Sequence, residues 1–244
     1  MLLKVLTINI WRYYDWEKRK AELIRFLKEQ NADIVFLQEA AYDDRLKEKY
    51  NHQVDEINRE LDYKWIAFEK EAEMTKWHKD PIDWKMYYGL GILSKYPIKN
   101  AEMHILPHVE RDKDFGFFHL KIGTDKGDID LINVHLENTD KGSEEHLKTL
   151  LKWCREGNIL SIIAGDFNMI KTDTLIGLAG KDFYISYKIK KYFSFMPTEF
   201  SHNKKPVTLD YVIANKKRFK IEAIACLKTS ASDHFPVVAE IRVK

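Results

Sequence analysis

Ile159-Leu-Ser-Ile-Ile-Ala-Gly-Asp-Phe-Asn168 is the stretch on which the fold turns. From Ile159 to Ala164 the run is almost wholly apolar, so it reads as a strand buried on both faces. It then stops on Gly165, Asp166 and Asn168. In sheets sandwiched by helices, ligands bind at the carboxyl ends of strands. A carboxylate and an amide at such an end are therefore candidates for chemistry as well as turn formers.

Three more apolar runs end in the same way. Leu6-Thr-Ile runs into Asn9, Ile34-Val-Phe-Leu-Gln into Glu39, and Leu131-Ile-Asn-Val into His135. Two others invert the pattern: Asp210 opens Leu209–Ala214, and Asp233-His234 immediately precede Phe235–Ala239. If those last strands run antiparallel to the others, their starts share a rim with the other strands' ends. Asn9, Glu39, His135, Asp166, Asn168, Asp210, Asp233 and His234 would then converge. Each has a plainer reading alone. Asn9 can form a turn, Glu39 can start a helix, Asp166 and Asp233 can cap, and a lone histidine is usually structural or solvated. Their joint occurrence at one rim is what points to a site.

Around these runs the chain reads as mixed α/β with much antiparallel strand. Leu2–Ile8, Asp33–Leu37, Lys64–Glu69, Gly89–Ser94, Ala101–Leu106, Phe115–Ile122, Ile129–His135, Phe219–Leu227 and Pro236–Val243 have strand character. Gly123 and Gly127 mark a hairpin. Helices are expected over Trp16–Gln30, over Asp43–Leu61 by the stripe Leu46, Tyr50, Val54, Ile57 and Leu61, and over Ser143–Arg155 with Ser143 as its cap. No repeat or flexible linker interrupts the sequence, so residues 1–244 are expected to form one domain.

The 244 residues carry 40 Lys+Arg against 38 Asp+Glu. That near-balance excludes a polyanion-coating protein of the histone kind. Cys154 and Cys226 cannot build a disulfide framework and have no CxxC spacing for zinc. The first residues lack a basic start, a long apolar centre and a small-residue cleavage site, and no apolar run has the length of a membrane span. A cytoplasmic, monomeric protein without an obligate protein partner is expected.

A rim of this composition suits hydrolysis of a phosphate ester. Mg²⁺ takes oxygen ligands, keeps several waters and uses one or two carboxylates, so Glu39 with Asn9 suits it, with Mn²⁺ as a substitute. A phosphodiester's anionic oxygens repel a nucleophile, and a metal and imidazolium groups neutralise them while a water is oriented in line. Histidines paired with carboxylates stay protonated to higher pH, as that role requires.

With these residues assembled, the sequence resembles the endonuclease/exonuclease/phosphatase superfamily, the group related to deoxyribonuclease I. The resemblance runs from Thr7-Ile-Asn-Ile10 through Leu37-Gln-Glu39, Gly89-Leu-Gly-Ile-Leu-Ser-Lys-Tyr-Pro97, Asn133-Val-His-Leu136, Ala164-Gly-Asp-Phe-Asn168 and Thr208-Leu-Asp-Tyr211 to Ser232-Asp-His-Phe235. It implies a four-layered α/β sandwich, two mixed, largely antiparallel sheets face to face with helices outside, and a metal-dependent phosphoesterase. By position it implies that Asn9 and Glu39 hold metal, with Asp233 helping a second ion in some members. Asp166 would orient or deprotonate the attacking water and Asn168 would contact the phosphate. His234, with Asp210 as its partner, would contact the scissile phosphate, and His135 would be the second histidine. Asn9-Ile-Trp-Arg12 and Asn133-Val-His-Leu-Glu-Asn138 depart from the abasic-site endonucleases. The lean is towards the tyrosyl-DNA phosphodiesterase-like or sphingomyelinase-like branches.

Two segments are candidates for reading the substrate. Glu71–Tyr88 is a long aromatic connection that includes Trp77, His78 and Trp84. Lys181–Phe200 interleaves Lys188, Lys190 and Lys191 with Tyr192 and other aromatics, a composition that suits single-stranded nucleic acid, though a lipid headgroup surface would use similar residues. Residues 181–220 hold ten Lys+Arg against three acids, so the overall balance conceals a basic flank. That asymmetry favours a nucleic-acid phosphodiester. A phosphatase or phospholipase-type esterase acting on inositol phosphate or sphingomyelin is the rival within the class, and a non-catalytic binding module is the rival outside it.

Overall fold

The computed structural model describes residues 1–46, 49–77, 80–198 and 204–244. Its strands form two six-stranded sheets and a two-stranded ladder. The first sheet runs in the order Phe219–Cys226, Val237–Val243, Leu2–Asn9, Ile34–Asp43, Met86–Ser94, Trp65–Glu73. The second runs Phe183–Ile185, Asp210–Asn215, Ser161–Asp166, Gly127–His135, Gly116–Thr124, Ile98–Ile105. Each sheet contains one parallel pair, Leu2–Asn9 with Ile34–Asp43 and Gly127–His135 with Ser161–Asp166. The remaining pairs in both sheets are antiparallel.

Alternation along the strands builds the layers. Leu3, Val5, Ile34 and Phe36 of the first sheet meet Leu131, Ile162, Ala164 and Val212 of the second in the central core. The intervening residues face outward and are covered by helices. Leu6, Ile8, Val35 and Leu37 pack beneath Trp16–Gln30 and Gln53–Leu61. Ile132, Val134, Ile163 and Ile213 pack beneath Asp140–Glu156 and Thr172–Ala179. The architecture is the four-layered, deoxyribonuclease I-like sandwich. The strand expected at Ile159–Ala164 begins two residues later, at Ser161, and runs to Asp166, covered on both faces and with a neighbour on either side.

Two expected helices are corrected. The strand Ile34–Asp43 keeps pairing with Met86–Tyr88 as far as Asp43, so the chain is still extended where a helix was expected to begin. After a 3-10 turn at Asp44–Leu46 the helix spans only Gln53–Leu61, started by His52, whose Nδ1 accepts the Asp55 N–H at 3.0 Å. The helix expected at Ser143 starts at Asp140, because Thr139 Oγ1 accepts the Gly142 N–H at 3.0 Å and takes the capping role. The helix Thr172–Ala179 was not legible as one.

A buried polar layer stitches the two sheets together beneath the rim. Gln38 Nε2 donates to Asn133 Oδ1 at 2.6 Å and to Thr7 Oγ1 at 3.0 Å. Asn133 Nδ2 donates to the carbonyls of Leu37 and Gly91 at 3.0 and 2.9 Å. These amides are fully buried and satisfied, which fixes the relative height of the sheets where the site is built.

Candidate active site

Register places the first three site residues. Asp166 pairs with His135 on one neighbouring strand and with Asp210 on the other, so the three form a row across the second sheet. Gly165 lets this row form. Its φ is +149°, and a Cβ there would lie 2.1 Å from the Val134 carbonyl oxygen. The first sheet supplies Asn9 at the end of its strand and Glu39 from a bulge, where Gln38 and Glu39 fit between the Leu37–Gly91 and Ala40–Gly89 pairs. Glu39 has φ +52° there, a left-handed turn of backbone that carries its carboxylate into the cavity between the sheets.

That cavity, of about 540 Å³, is lined by seven of the eight rim residues: Asn9, Glu39, His135, Asp166, Asn168, Asp233 and His234. Asp210 lies directly behind His234 and is fully buried. The antiparallel inversion expected for the last strands therefore holds, and all eight residues converge.

Two imidazole–carboxylate pairs face each other across the cavity. His234 Nδ1 lies 2.8 Å from Asp210 Oδ2, and its Nε2 lies 3.9 Å from Asp166 Oδ2. His135 Nδ1 lies 2.7 Å from Glu71 Oε2, and its Nε2 lies 4.0 Å from Glu39 Oε1. Burial alone would push the His234 ring down, but the charges of Asp210 and Asp166 and the Asp210 hydrogen bond hold its pKa well above the ordinary value. Burial likewise opposes the His135 imidazolium, and the charge and hydrogen bond of Glu71 outweigh it. Both rings are thus shifted towards their charged form. Phe195 and Phe115 set edge-on against His234 and His135 at 5.1 and 5.5 Å, fixing the ring planes.

Asp166 sits between these groups. Its Oδ2 accepts from Asn9 Nδ2 at 3.1 Å, and its Oδ1 accepts the Asn168 N–H at 2.9 Å. Burial raises its pKa to about 6, against the pull of His234. Asn168 (φ +50°) donates its amide to the Leu136 carbonyl at 2.8 Å. Burial also raises Asp233, and the Glu39 charge adds to that.

The donor set fits a hard divalent cation at Glu39. Its Oε2 is buried without an aligned hydrogen-bond donor, Asn9 and Asp233 line the same cavity, and all three offer oxygen. Burial would raise the Glu39 pKa, but Arg12, His135 and Lys113 bring it down to about 2, so the carboxylate is ionised and ready to ligate. Asp166, Asp210 and His234 also come within ligating distance of one another. There, however, the His234 ring already lies between the two carboxylates, with Nδ1 2.8 Å from Asp210 Oδ2 and Nε2 3.9 Å from Asp166 Oδ2.

Residues the sequence did not single out complete the site. Glu71 was read as the start of an irregular connection. It is a strand residue whose carboxylate is buried, accepts the Gly116 N–H at 2.9 Å and holds His135. Tyr88, at the other end of that segment, is also in a strand and lies under Arg12 and Lys113, whose charged groups are 5.5 and 4.4 Å from its ring. Arg19 is buried and donates to the carbonyls of Ile10, Trp11, Arg12, Tyr14 and Ala231, tying the loop after Asn9 to the segment before Asp233. A single arginine in an amphipathic helix carries no local signal of such a role.

The expected substrate readers fare differently. Lys188 and Lys191 are exposed and line a second cavity, which shares Ile170 with the catalytic one. Lys190 is exposed close by. Tyr192 is a correction: it is buried, and its hydroxyl donates to the Asp210 carbonyl at 3.0 Å, so its ring is not available for stacking. Trp84 is half-buried, does not line the catalytic cavity and carries the Arg45 guanidinium 3.7 Å from its ring. Trp77 pairs with Asp80 in the short ladder, and its side chain, like His78 and Phe200, lies outside the described residues.

Fold and site together define a hydrolase scaffold of the four-layered sandwich class, with carboxylates and imidazoles gathered at the rim of its sheets. The chain belongs to the Endonuclease/Exonuclease/phosphatase family, whose model matches residues 6–234. No curated protein matches it. Among solved structures, an endonuclease/exonuclease/phosphatase from Beutenbergia cavernae DSM 12333 superposes with a TM-score of 0.81 at 17% identity, over 99% of this chain and 72% of that one. D. rerio TDP2 complexed with single-strand DNA product gives 0.75 at 15% identity, over 99% of each chain. The Bacteroides thetaiotaomicron VPI-5482 mannosyl-6-phosphatase Bt3783 gives 0.73 at 16%, over 98% of this chain and 99% of that one. At these identities the likeness shows the fold.

Proposed function

We propose that residues 1–244 form one catalytic domain, a Mg²⁺-dependent phosphodiesterase that hydrolyses nucleic acid or a nucleic-acid adduct. The observation that carries this reading is the placement of Asp166 beside the carboxylate-paired His234 imidazole, with a second such imidazole and Glu39 lining the same cavity. A divalent cation held by Glu39, with Asn9 and Asp233 beside it, would supply positive charge for the phosphate oxygens and the departing oxygen.

The chain's own groups do the rest. Asp166, with a pKa near 6, is a carboxylate at neutral pH and accepts a proton from the attacking water. Asn9 Nδ2 and the Asn168 N–H fix the orientation of that carboxylate. His234 and His135 direct Nε2–H groups into the cavity and donate to non-bridging phosphate oxygens, whose negative charge grows as the water oxygen bonds to phosphorus. The phosphorus–oxygen bond opposite the incoming water then breaks. Asp210 and Glu71, each at an Nδ1, favour the charged form of both rings and hold their orientation.

Nucleic acid is favoured by the basic flank, where Lys188, Lys190 and Lys191 stand exposed beside the cavity that adjoins the active centre. The fold likeness to TDP2 with its DNA product agrees with it. A phosphomonoesterase is the second reading, favoured by Arg12 and Lys113, two further cations in the cavity that suit a doubly charged phosphate. The test is turnover with Mg²⁺ of single- and double-stranded DNA, a 5′-tyrosyl oligonucleotide, bis-p-nitrophenyl phosphate, inositol phosphates and sphingomyelin, with Asp166→Asn as control. Turnover of lipids or monoesters alone would remove the nucleic-acid reading, and no metal-dependent turnover would favour a binding module.

A further inference from the structure

The loop after Asn9 brings an arginine onto the carboxylate assigned to the metal. Arg12 Nε lies 2.7 Å from Glu39 Oε2, and the Arg12 N–H donates to the Glu39 carbonyl at 3.1 Å. Trp11 and Arg12 have φ of +55° and +49°. Gln53 Nε2 and Arg19 Nη2 both hold the Arg12 carbonyl, at 3.0 and 3.2 Å. The backbone is thus fixed so that the side chain must leave towards Glu39. The side-chain contact itself is loose, because Glu39 Oε2 has no aligned hydrogen-bond donor despite the short distance. The guanidinium holds the oxygen by charge alone, with Tyr88 and the Met74 sulfur as its other neighbours. Among the described residues no other carboxylate is within ion-pair distance of Arg12.

We propose that Arg12 is a resident counter-ion of Glu39 that competes with the divalent cation for this carboxylate and, once displaced, turns to the phosphate in the same cavity. The inference rests on the assignment of Glu39 to the metal. Without an ion, a buried carboxylate beside Asp233 and Asp166 needs a nearby positive charge, and Arg12 supplies it. When an ion takes Oε2, the guanidinium loses its partner and faces a cavity into which an anion must come. Its planar fork matches two phosphate oxygens. Arg12 therefore lowers resting metal affinity and raises anion affinity after loading, which couples the two binding events.

The test is Mn²⁺ binding to the full chain without substrate, followed by calorimetry and by the electron paramagnetic resonance of free Mn²⁺. Arg12→Gly suits the left-handed backbone and is expected to tighten Mn²⁺ roughly threefold to tenfold, the range of a partly exposed ion pair. Arg12→Lys should give a smaller gain, and Lys113→Ala, which removes a charge farther from Oε2, a smaller one again. With Mn²⁺ saturating, inorganic phosphate should bind several-fold more weakly to Arg12→Gly. Unchanged or weaker Mn²⁺ binding in Arg12→Gly, or an equal gain in Lys113→Ala, overturns the competition, and unchanged phosphate binding overturns the transfer to anion. Glu39→Gln separates the failures. If it leaves Mn²⁺ binding intact, the metal assignment falls, whereas if it abolishes binding while Arg12→Gly changes nothing, only the role of Arg12 falls.

Discussion

His135 Nδ1 lies 2.7 Å from the buried carboxylate of Glu71, as His234 Nδ1 lies 2.8 Å from that of Asp210. His135 ends a strand and His234 precedes one, yet each has the same support, a carboxylate behind Nδ1 and an acidic partner about 4 Å from Nε2. Such a carboxylate fixes the tautomer and favours the charged ring. The arrangement makes four residues, not two, responsible for the positive charge facing a phosphate.

Glu71→Gln should therefore slow turnover with little change in fold. It removes a charge-assisted hydrogen bond of about 1.5–3 kcal/mol, which corresponds to roughly tenfold to a hundredfold in kcat. The His135 imidazole pKa, followed by NMR, should fall. A turnover rate like that of the native chain would show that His135 does not need its charge.

The pH profile follows from Asp166 and His234. Asp166 is raised to about 6, so its carboxylate form is lost as pH drops through that value, and kcat/KM should decline tenfold per unit below it. His234 is held above its ordinary pKa by Asp210 and Asp166, against burial, so its charge is lost at a higher pH than that of a free imidazole. Asp210→Asn should move the alkaline limb to lower pH. A profile that stays flat from pH 8 down to 5 would contradict the role of Asp166.

Metal dependence should separate Glu39 from an ordinary surface acid. Glu39→Gln is expected to raise the Mg²⁺ concentration needed for half-maximal activity by at least about tenfold, as loss of a charged ligand does. Asp173→Asn, at an exposed position in the first turn of Thr172–Ala179, should leave it unchanged. Equal effects would discredit the metal assignment.

Asn133→Leu should destabilise the fold. It strands the carbonyls of Leu37 and Gly91 and the Gln38 amide, each fully or nearly sealed from water, at a cost of about 3 kcal/mol or more. Urea denaturation at neutral pH would measure it. A loss below 1 kcal/mol would mean that the layer does not join the sheets.

Lys188→Glu with Lys191→Glu should raise KM for single-stranded DNA several-fold and flatten its salt dependence, since each lysine contributes roughly one released counterion. The KM for bis-p-nitrophenyl phosphate, which does not reach that cavity, should stay the same. Parallel changes on both substrates would count against a nucleic-acid track there.

The sequence alone determined the strands that carry the site and the residue types at their ends. A short apolar run must be buried, and a carboxylate, amide or imidazole bordering it must sit at the rim. Asn9, Glu39, His135, Asp166, Asn168, Asp210, Asp233 and His234 were legible for that reason, as was the helix Trp16–Gln30, whose apolar stripe has no competing pairing. Only the tertiary structure decided the partners. Glu71 meets His135 across 64 positions of chain because two strands from different sheets face each other there, and nothing local to Glu71 records it. Tyr192 looked like a stacking residue by composition, yet the fold buries it behind Asp210, with its hydroxyl held by Ser186 and the Asp210 carbonyl. Arg12 and Arg19 carry no local signal of their roles: a left-handed loop brings one onto Glu39 and lays its carbonyls, with that of Ala231, on the other. Pattern reports which residues leave water; long-range pairing, which pattern does not encode, decides what they meet when they do.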